Sequence, residues 1–255
     1  MFVPYRDVAG AEANTFGKIV MEGNLADVQT YLAAEKLSSN DIFNMKWGRT
    51  QVPIFNMIHM LIQVIPESRS KYLAITRHLI EVCKVPVDGT DLSGTTALSH
   101  CFSTKPATDL EYAEMLTAAG GDVNHRNRYG GTVAHEIVQV YDFGNPAAVS
   151  RAGRSLQFFL FHGGNLDIKD GDKATARASL MSVARSGNFR ALTAMVSDED
   201  RRRAAIQEPH CALCGGTEDV MMCTRCKKAY YCRRERRQCQ ALHWPEHKKA
   251  CSPPN

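Results

Sequence analysis

Apolar residues recur at helical spacing along most of this chain. Residues 72–82, 110–118 and 156–162 place them three and four positions apart, the period that gives a helix one buried face. The longest apolar run, VPIFNMIHMLIQVI at residues 52–65, is interrupted by Asn56, His59 and Gln63. It falls short of the roughly 20 residues that span a bilayer and is expected as a buried helix. Two further stretches, KIVMEGNLADVQTYL and SVARSGNFRALTAMV, read as helix, Gly-Asn turn, helix. Met57, Ile58, Leu61, Leu79, Met115, Leu116, Phe158 and Leu160 are the expected core.

A phased repeat underlies this pattern. The segments DLSGTTALSHC from Asp91, NRYGGTVAHEI from Asn127 and DGDKATARASL from Asp170 align, each with an acidic or amide residue followed five positions later by Thr96, Thr132 or Thr175. The threonines are 36 and 43 residues apart. Each segment follows a turn-and-strand signal (KVPVDGT, AGGDVNHRN, HGGNLDIKD), and each threonine stands where it can cap the helix after it. This pattern resembles the ankyrin repeat family, whose unit is a turn plus two helices of about 33 residues. The family's Thr-Pro-Leu-His signature persists in pieces, as Thr96-Ala97-Leu98 and Thr132-Val133-Ala134-His135. The resemblance covers roughly residues 13–200. It implies four or five stacked units with capping ends, the period stretched by insertions such as GNPAAVSRAGR at residues 144–154. The expected fold is mainly α: an ankyrin-like helical repeat domain over residues 1–200, a charged linker over 201–208, and a small separate module over 209–252.

Composition changes the picture at the C-terminus. Residues 201–255 hold 8 Arg and 4 Lys against 1 Asp and 4 Glu, a net +7. The whole chain is +4, so the first 200 residues carry −3. Seven of nine cysteines lie in the last 45 residues, and residues 1–16 carry no apolar run of signal length. Cysteines without a secretory signal point to metal ligands in a reducing, intracellular compartment, cytoplasmic or nuclear. Cys211-x2-Cys214 and Cys223-x2-Cys226 are followed by Cys232, Cys239, His247 and Cys251. Eight such ligands make two tetrahedral sets, the number that two structural zinc ions require. His247 and Cys251, four apart, are expected on one helix face. So short a segment buries little apolar surface, so metal bonds must supply its stability.

The order of these residues, with Tyr231 before Cys232 and Cys239-Gln240 leading to Trp244, His247 and Cys251, resembles the MYND zinc finger family. The resemblance implies a cross-braced pair of zinc sites, one from Cys211, Cys214, Cys232 and Cys239, the other from Cys223, Cys226, His247 and Cys251. It also implies binding of proline-rich peptides of the Pro-x-Leu-x-Pro kind in a groove lined by Gln240 and Trp244. One departure stands out. Six residues, RRERRQ, separate Cys232 from Cys239 where the family usually has three. As a continuous helix they would hold the two sulfurs roughly 10 Å apart. Either the extra residues loop out before the helix, or Cys239 does not ligate and His210 or His243 replaces it. The preserved spacing from Cys239 to Trp244 and His247 favours the loop.

No catalytic constellation emerges. His135-Glu136 begins like a zinc-protease helix, but position 139 is Gln where that motif needs His. Four protein ligands per zinc leave no position for substrate, so both ions are expected to be structural. The reading is an adaptor, not an enzyme: it binds one protein through the repeat surface and a proline-rich peptide through the finger, with no membrane partner. The alternative is a nucleic-acid-associated regulator using the basic finger surface around residues 233–237, Lys227, Lys228, Lys248 and Lys249.

Overall fold

A computed structural model describes residues 13–103, 108–139, 144–184, 190–233 and 238–254. The chain divides into two compact units, the first running to Gly121 with His125–Tyr129, the second comprising Asp122–Asn124 and everything from Gly130 on. The second unit thus takes in the expected linker and the finger together with the helices before them.

In the first unit the helices come in pairs. Asn14 caps α1 (Thr15–Glu22), and the expected Gly-Asn turn follows, with Asn24 capping α2 (Leu25–Glu35). After α3 (Ser39–Asn44), the short antiparallel strands β1 (Lys46–Trp47) and β2 (Val52–Pro53) form a hairpin. The apolar run becomes α4 (Ile54–Val64), which is followed by a 3-10 turn at Pro66–Ser68 and by α5 (Arg69–Glu81). The third pair is α6 (Ala97–Ser103) and α7 (Leu110–Ala118). First helices stack on first helices, α1 on α4 and α4 on α6, and α2 stacks on α5. The second unit repeats the scheme with α8 (Val133–Val138) and α9 (Pro146–Phe161), then α10 (Ala176–Ala184) and α11 (Arg190–Ala204). There α8 packs on α10 and α9 on α11. No described helix is long and apolar enough to cross a membrane.

The three aligned segments share one local construction. Asp91 accepts hydrogen bonds from the Ser93 and Thr95 amides, Asn127 from the Tyr129 amide, and Asp170 from the Asp172 and Ala174 amides. Five residues on, a threonine starts the helix. Thr96 accepts from the Ser99 amide and Thr175 from the Ala178 amide. Thr132 shares a capping box with His135, whose Nδ1 accepts from the Thr132 amide at 3.1 Å. Each cap satisfies an amide that the first turn of a helix leaves without a partner.

Three expectations need correction. Residues 144–154 are not an insertion loop. Asn145 accepts from the Ala147 amide and Pro146 takes the first helical position, so most of that segment is the first half of α9. The phase of this longer helix buries Ala152, Leu156, Phe159 and Leu160, and turns Phe158 to a half-buried place against the His162 ring. Met115 is likewise half-buried, beside a fully buried Leu116, whereas the other expected core residues are buried. Finally, residues 201–204 of the expected linker are the last turn of α11. The Gly-Asn turn between α10 and α11 lies outside the described residues.

The first unit also buries polar groups. Arg69 grips Asp109 through two hydrogen bonds of 2.6 and 2.8 Å, and Asp109 caps α7 through the Tyr112 amide. His59 is 2% exposed, its ring 5.5 Å from that of Tyr112, and its Nε2 has no hydrogen-bond partner. Burial holds its pKa down at about 4, against an opposing pull from Asp109. The unfolded chain binds this proton near pH 6.5, so stability falls as pH drops from there to about 4, by about 3 kcal/mol. Urea unfolding should therefore show wild type losing about that much more than His59→Leu between about pH 7 and about pH 4. Equal losses in the two proteins would refute this account of His59.

Candidate metal centre

The finger starts from two copies of one turn. The Cys211 carbonyl accepts from the Gly215 amide at 2.8 Å, and the Cys223 carbonyl accepts from the Lys227 amide at 2.9 Å. In both, the residue after the second cysteine is left-handed, Gly215 at φ 74° and Lys227 at φ 55°. Glycine adopts this conformation without strain; lysine holds it against its Cβ. Each turn brings its two sulfurs to the same side. Strands β3 (Val220–Met222) and β4 (Tyr230–Cys232) pair antiparallel, placing Cys223 just past the end of one strand and Cys232 at the end of the other. Helix α12 (Cys239–His247) supplies Cys239 from its first residue and His247 from its last. Cys251 lies beyond the helix, not on its face as expected. Tight turns through Lys249 and Ala250, whose amides bond the Glu246 and His247 carbonyls, carry the chain back to the cluster.

Two four-ligand sets result. The ligand atoms of Cys211, Cys214, Cys232 and Cys239 all lie within 4.8 Å of one another, as do those of Cys223, Cys226, His247 and Cys251. A tetrahedral zinc with bonds of about 2.3 Å to sulfur and 2.0–2.1 Å to nitrogen requires edges of about 3.8 Å between sulfurs and about 3.5 Å from sulfur to nitrogen. The observed edges are 3.5 Å for Cys214–Cys232 and 3.9 Å for Cys223–Cys251. His247 Nε2 lies 3.6 Å from Cys226 Sγ and 3.4 Å from Cys223 Sγ. These sets fit two structural zinc ions, with His247 ligating through Nε2. The pairing interleaves along the chain, so each ion joins two distant segments.

The crowded thiols push one another apart, some toward the thiolate and some toward the thiol. Backbone amides of Lys228 and Ala229 hold the Cys226 thiol down at about 7. Hydrogen bonds from Cys214, Cys232 and Cys239 hold Cys211 far below the ordinary thiol range, and the same crowding, led by Cys211, pushes Cys239 far up. A dication removes that conflict by neutralising several thiolates at once.

Cys239 joins the first set because α12 does not begin until Cys239 itself. The six intervening residues thus lie ahead of the helix; residues 234–237, most of the RRERR run, are outside those described. Neither candidate substitute belongs to a set. His210 Nδ1 lies against the Glu208 carbonyl, and His243 Nδ1 is 3.0 Å from the buried Tyr231 hydroxyl. Gln240 and Trp244 stand one turn apart on α12, and Trp244 is 39% exposed with its ring 5.9 Å from that of His247. The family model of the MYND finger matches residues 211–251, the span that holds both ligand sets. Residues 211–251 are a MYND finger. As such they form a zinc-binding domain of a kind that mediates protein–protein interactions.

The MYND finger is built against the helices that precede it. Ile168 completes its core, packed with Leu213, Tyr231 and the ligand cysteines. Asn165 Nδ2 donates to the Leu213 carbonyl at 2.7 Å, and Lys169 pairs with Glu246 at 2.7 Å. Arg203, from the end of α11, donates to the carbonyls of Gly164 at 2.6 Å and Leu213 at 3.4 Å. Sequence reasoning missed these four residues, because neither Ile168 nor Arg203 carries a motif and their role exists only where the segments meet.

Native mass spectrometry should find two zinc ions in the wild type and one in Cys239→Ser, which opens one ligand position to water. Two ions held at wild-type affinity by Cys239→Ser would exclude Cys239 as a ligand. Chelation should reach beyond the finger. Hydrogen exchange should speed up in residues 163–170 and at the end of α11 as well as in 211–251, while the first unit keeps its protection. Faster exchange confined to 211–251 would mean that the finger's contacts with those segments add no stability.

Proposed function

We propose that this chain is an intracellular, non-catalytic adaptor whose finger takes a proline-rich peptide and whose helical body, an ankyrin-like array, takes a second protein. The observation that carries the first half is the position of Trp244. A tryptophan this exposed, set beside a zinc ligand instead of inside the finger's core, offers an apolar face that the finger's own folding leaves uncovered. Gln240 lies one helical turn away and offers both a donor and an acceptor. A proline-rich strand is already stiff, loses little entropy on docking, and presents apolar ridges to an aromatic ring.

Support for the body comes from the stacked helix pairs and the recurring turn, in which Asp91, Asn127 and Asp170 are each followed by a capping threonine. Closed four-ligand zinc sites suit a structural role, and seven ligand thiolates suit a reducing compartment, nuclear or cytoplasmic.

The discriminating variant is Gln240→Ala. It should leave zinc content and folding unchanged and weaken a Pro-x-Leu-x-Pro peptide about tenfold in isothermal titration, roughly the worth of one desolvated hydrogen bond. Failure of the wild-type chain to bind such peptides at millimolar concentration would defeat the assignment.

A further inference from the structure

The turn tips of the first unit are joined into a ladder. The Leu92 amide donates to the Thr50 carbonyl at 2.8 Å, tying the second tip to the β1–β2 hairpin. The Arg128 amide donates to the Ser93 carbonyl at 2.8 Å, and its guanidinium donates to the Leu92 carbonyl at 3.2 Å. Gly94 makes this approach possible, since a Cβ there would meet the Arg128 nitrogen at 2.8 Å. Residues 48–51, 91–95 and 125–129 therefore lie side by side along one ridge.

The ridge has an unusual surface. Leu92 is 54% exposed and Tyr129 71%, on neighbouring rungs. Arg49, Arg126 and Arg128 are exposed on the same rungs, and Lys46, on β1, donates to the Thr90 carbonyl. The one carboxylate there, Asp91, turns inward to the Ser93 and Thr95 amides and to His100 at 2.9 Å. Among the described residues no carboxylate pairs with Arg49 or Arg128. This positive strip lies on a stretch of chain, residues 1–200, whose net charge is −3, so it runs against the composition around it.

We propose that the ridge docks an extended acidic segment of a partner protein, with a bulky apolar side chain seated on Leu92 and Tyr129 and carboxylates over Arg49 and Arg128. The inference rests on the adaptor reading of the body and names the chemistry of its partner. Charge complementarity selects the acidic segment, and the rungs of exposed apolar surface select a peptide chain over a polyphosphate. A nucleic acid would need many phosphate contacts, and the strip offers only a few cations.

The test uses the full chain and a fluorescent peptide that alternates Asp and Glu with Leu and Phe. Its companions are the same peptide with Lys for every acid, and a single-stranded oligonucleotide. Polarisation should show the acidic peptide binding, the basic one not, and affinity falling as salt rises. The variants Arg49→Glu and Tyr129→Ala should each weaken binding about tenfold or more, with melting temperatures unchanged because both side chains are exposed. Absence of acidic-peptide binding, binding indifferent to both variants, or tighter binding of the oligonucleotide that the same variants abolish would each overturn the proposal. Because the finger's proline-rich peptide can be titrated into the same samples, loss of the ridge leaves the finger's assignment separately measurable.

Discussion

Sulfur–zinc bonds do for residues 211–251 what apolar burial does for the rest of the chain. The finger's core is made largely of its own ligands, with Leu213, Tyr231 and Ile168 filling the space between them. Everything else about the finger follows from the need to bring eight ligand atoms into two sets. The paired turns aim two thiols together, the hairpin spaces Cys223 from Cys232, and α12 delivers a ligand from each end. Because the sets interleave, neither half of the finger can form its site without the other, and folding and metal binding become one event.

The same constraint explains why the finger leans on the helices before it. Four residues outside 211–251 complete its surroundings: Asn165, Ile168, Lys169 and Arg203. Arg203 serves two segments at once, since the carbonyls of Gly164 and Leu213 both accept from its guanidinium. A buried carbonyl without a donor is costly, so this arginine links the order of the turn at 163–165 to that of the first zinc turn. The boundary between the helices and the finger is thus a packed junction.

The eight ligands were legible in the sequence because thiols at Cys-x2-Cys spacing have few other uses in such numbers; their division into two sets came from the resemblance to the MYND family. The Gly-Asn turn at Gly23-Asn24 and the capping threonines were legible for a similar reason, as each residue type has a specific backbone task. What failed was reading by composition. Residues 144–154 contain Gly, Asn, Pro and Ser and look like a loop, yet Asn145 and Pro146 are the start signals of α9. Missing that start displaced the helical phase and put Phe158 in place of Phe159. The place of Cys239 was the hardest case: its spacing from Cys232 argued against ligation, its spacing to Trp244 and His247 argued for it, and the start of α12 at Cys239 agrees with the second. Long-range contacts such as Ile168 in the finger's core leave no periodic trace at all.

Zinc holds the finger's surface in shape: Trp244 sits beside His247, so the ligand set that folds the finger also positions its exposed aromatic ring. The measurement that bears most directly on this account is zinc X-ray absorption on the purified, metal-replete chain. The two sets together contain seven sulfurs and one imidazole nitrogen. The spectrum should show a first shell dominated by sulfur at about 2.3 Å with the weak outer-shell signature of a single imidazole shared over two ions. A shell with substantial oxygen, or with several imidazoles per pair of ions, would contradict the pairing of these eight residues and with it the account of how the finger is held.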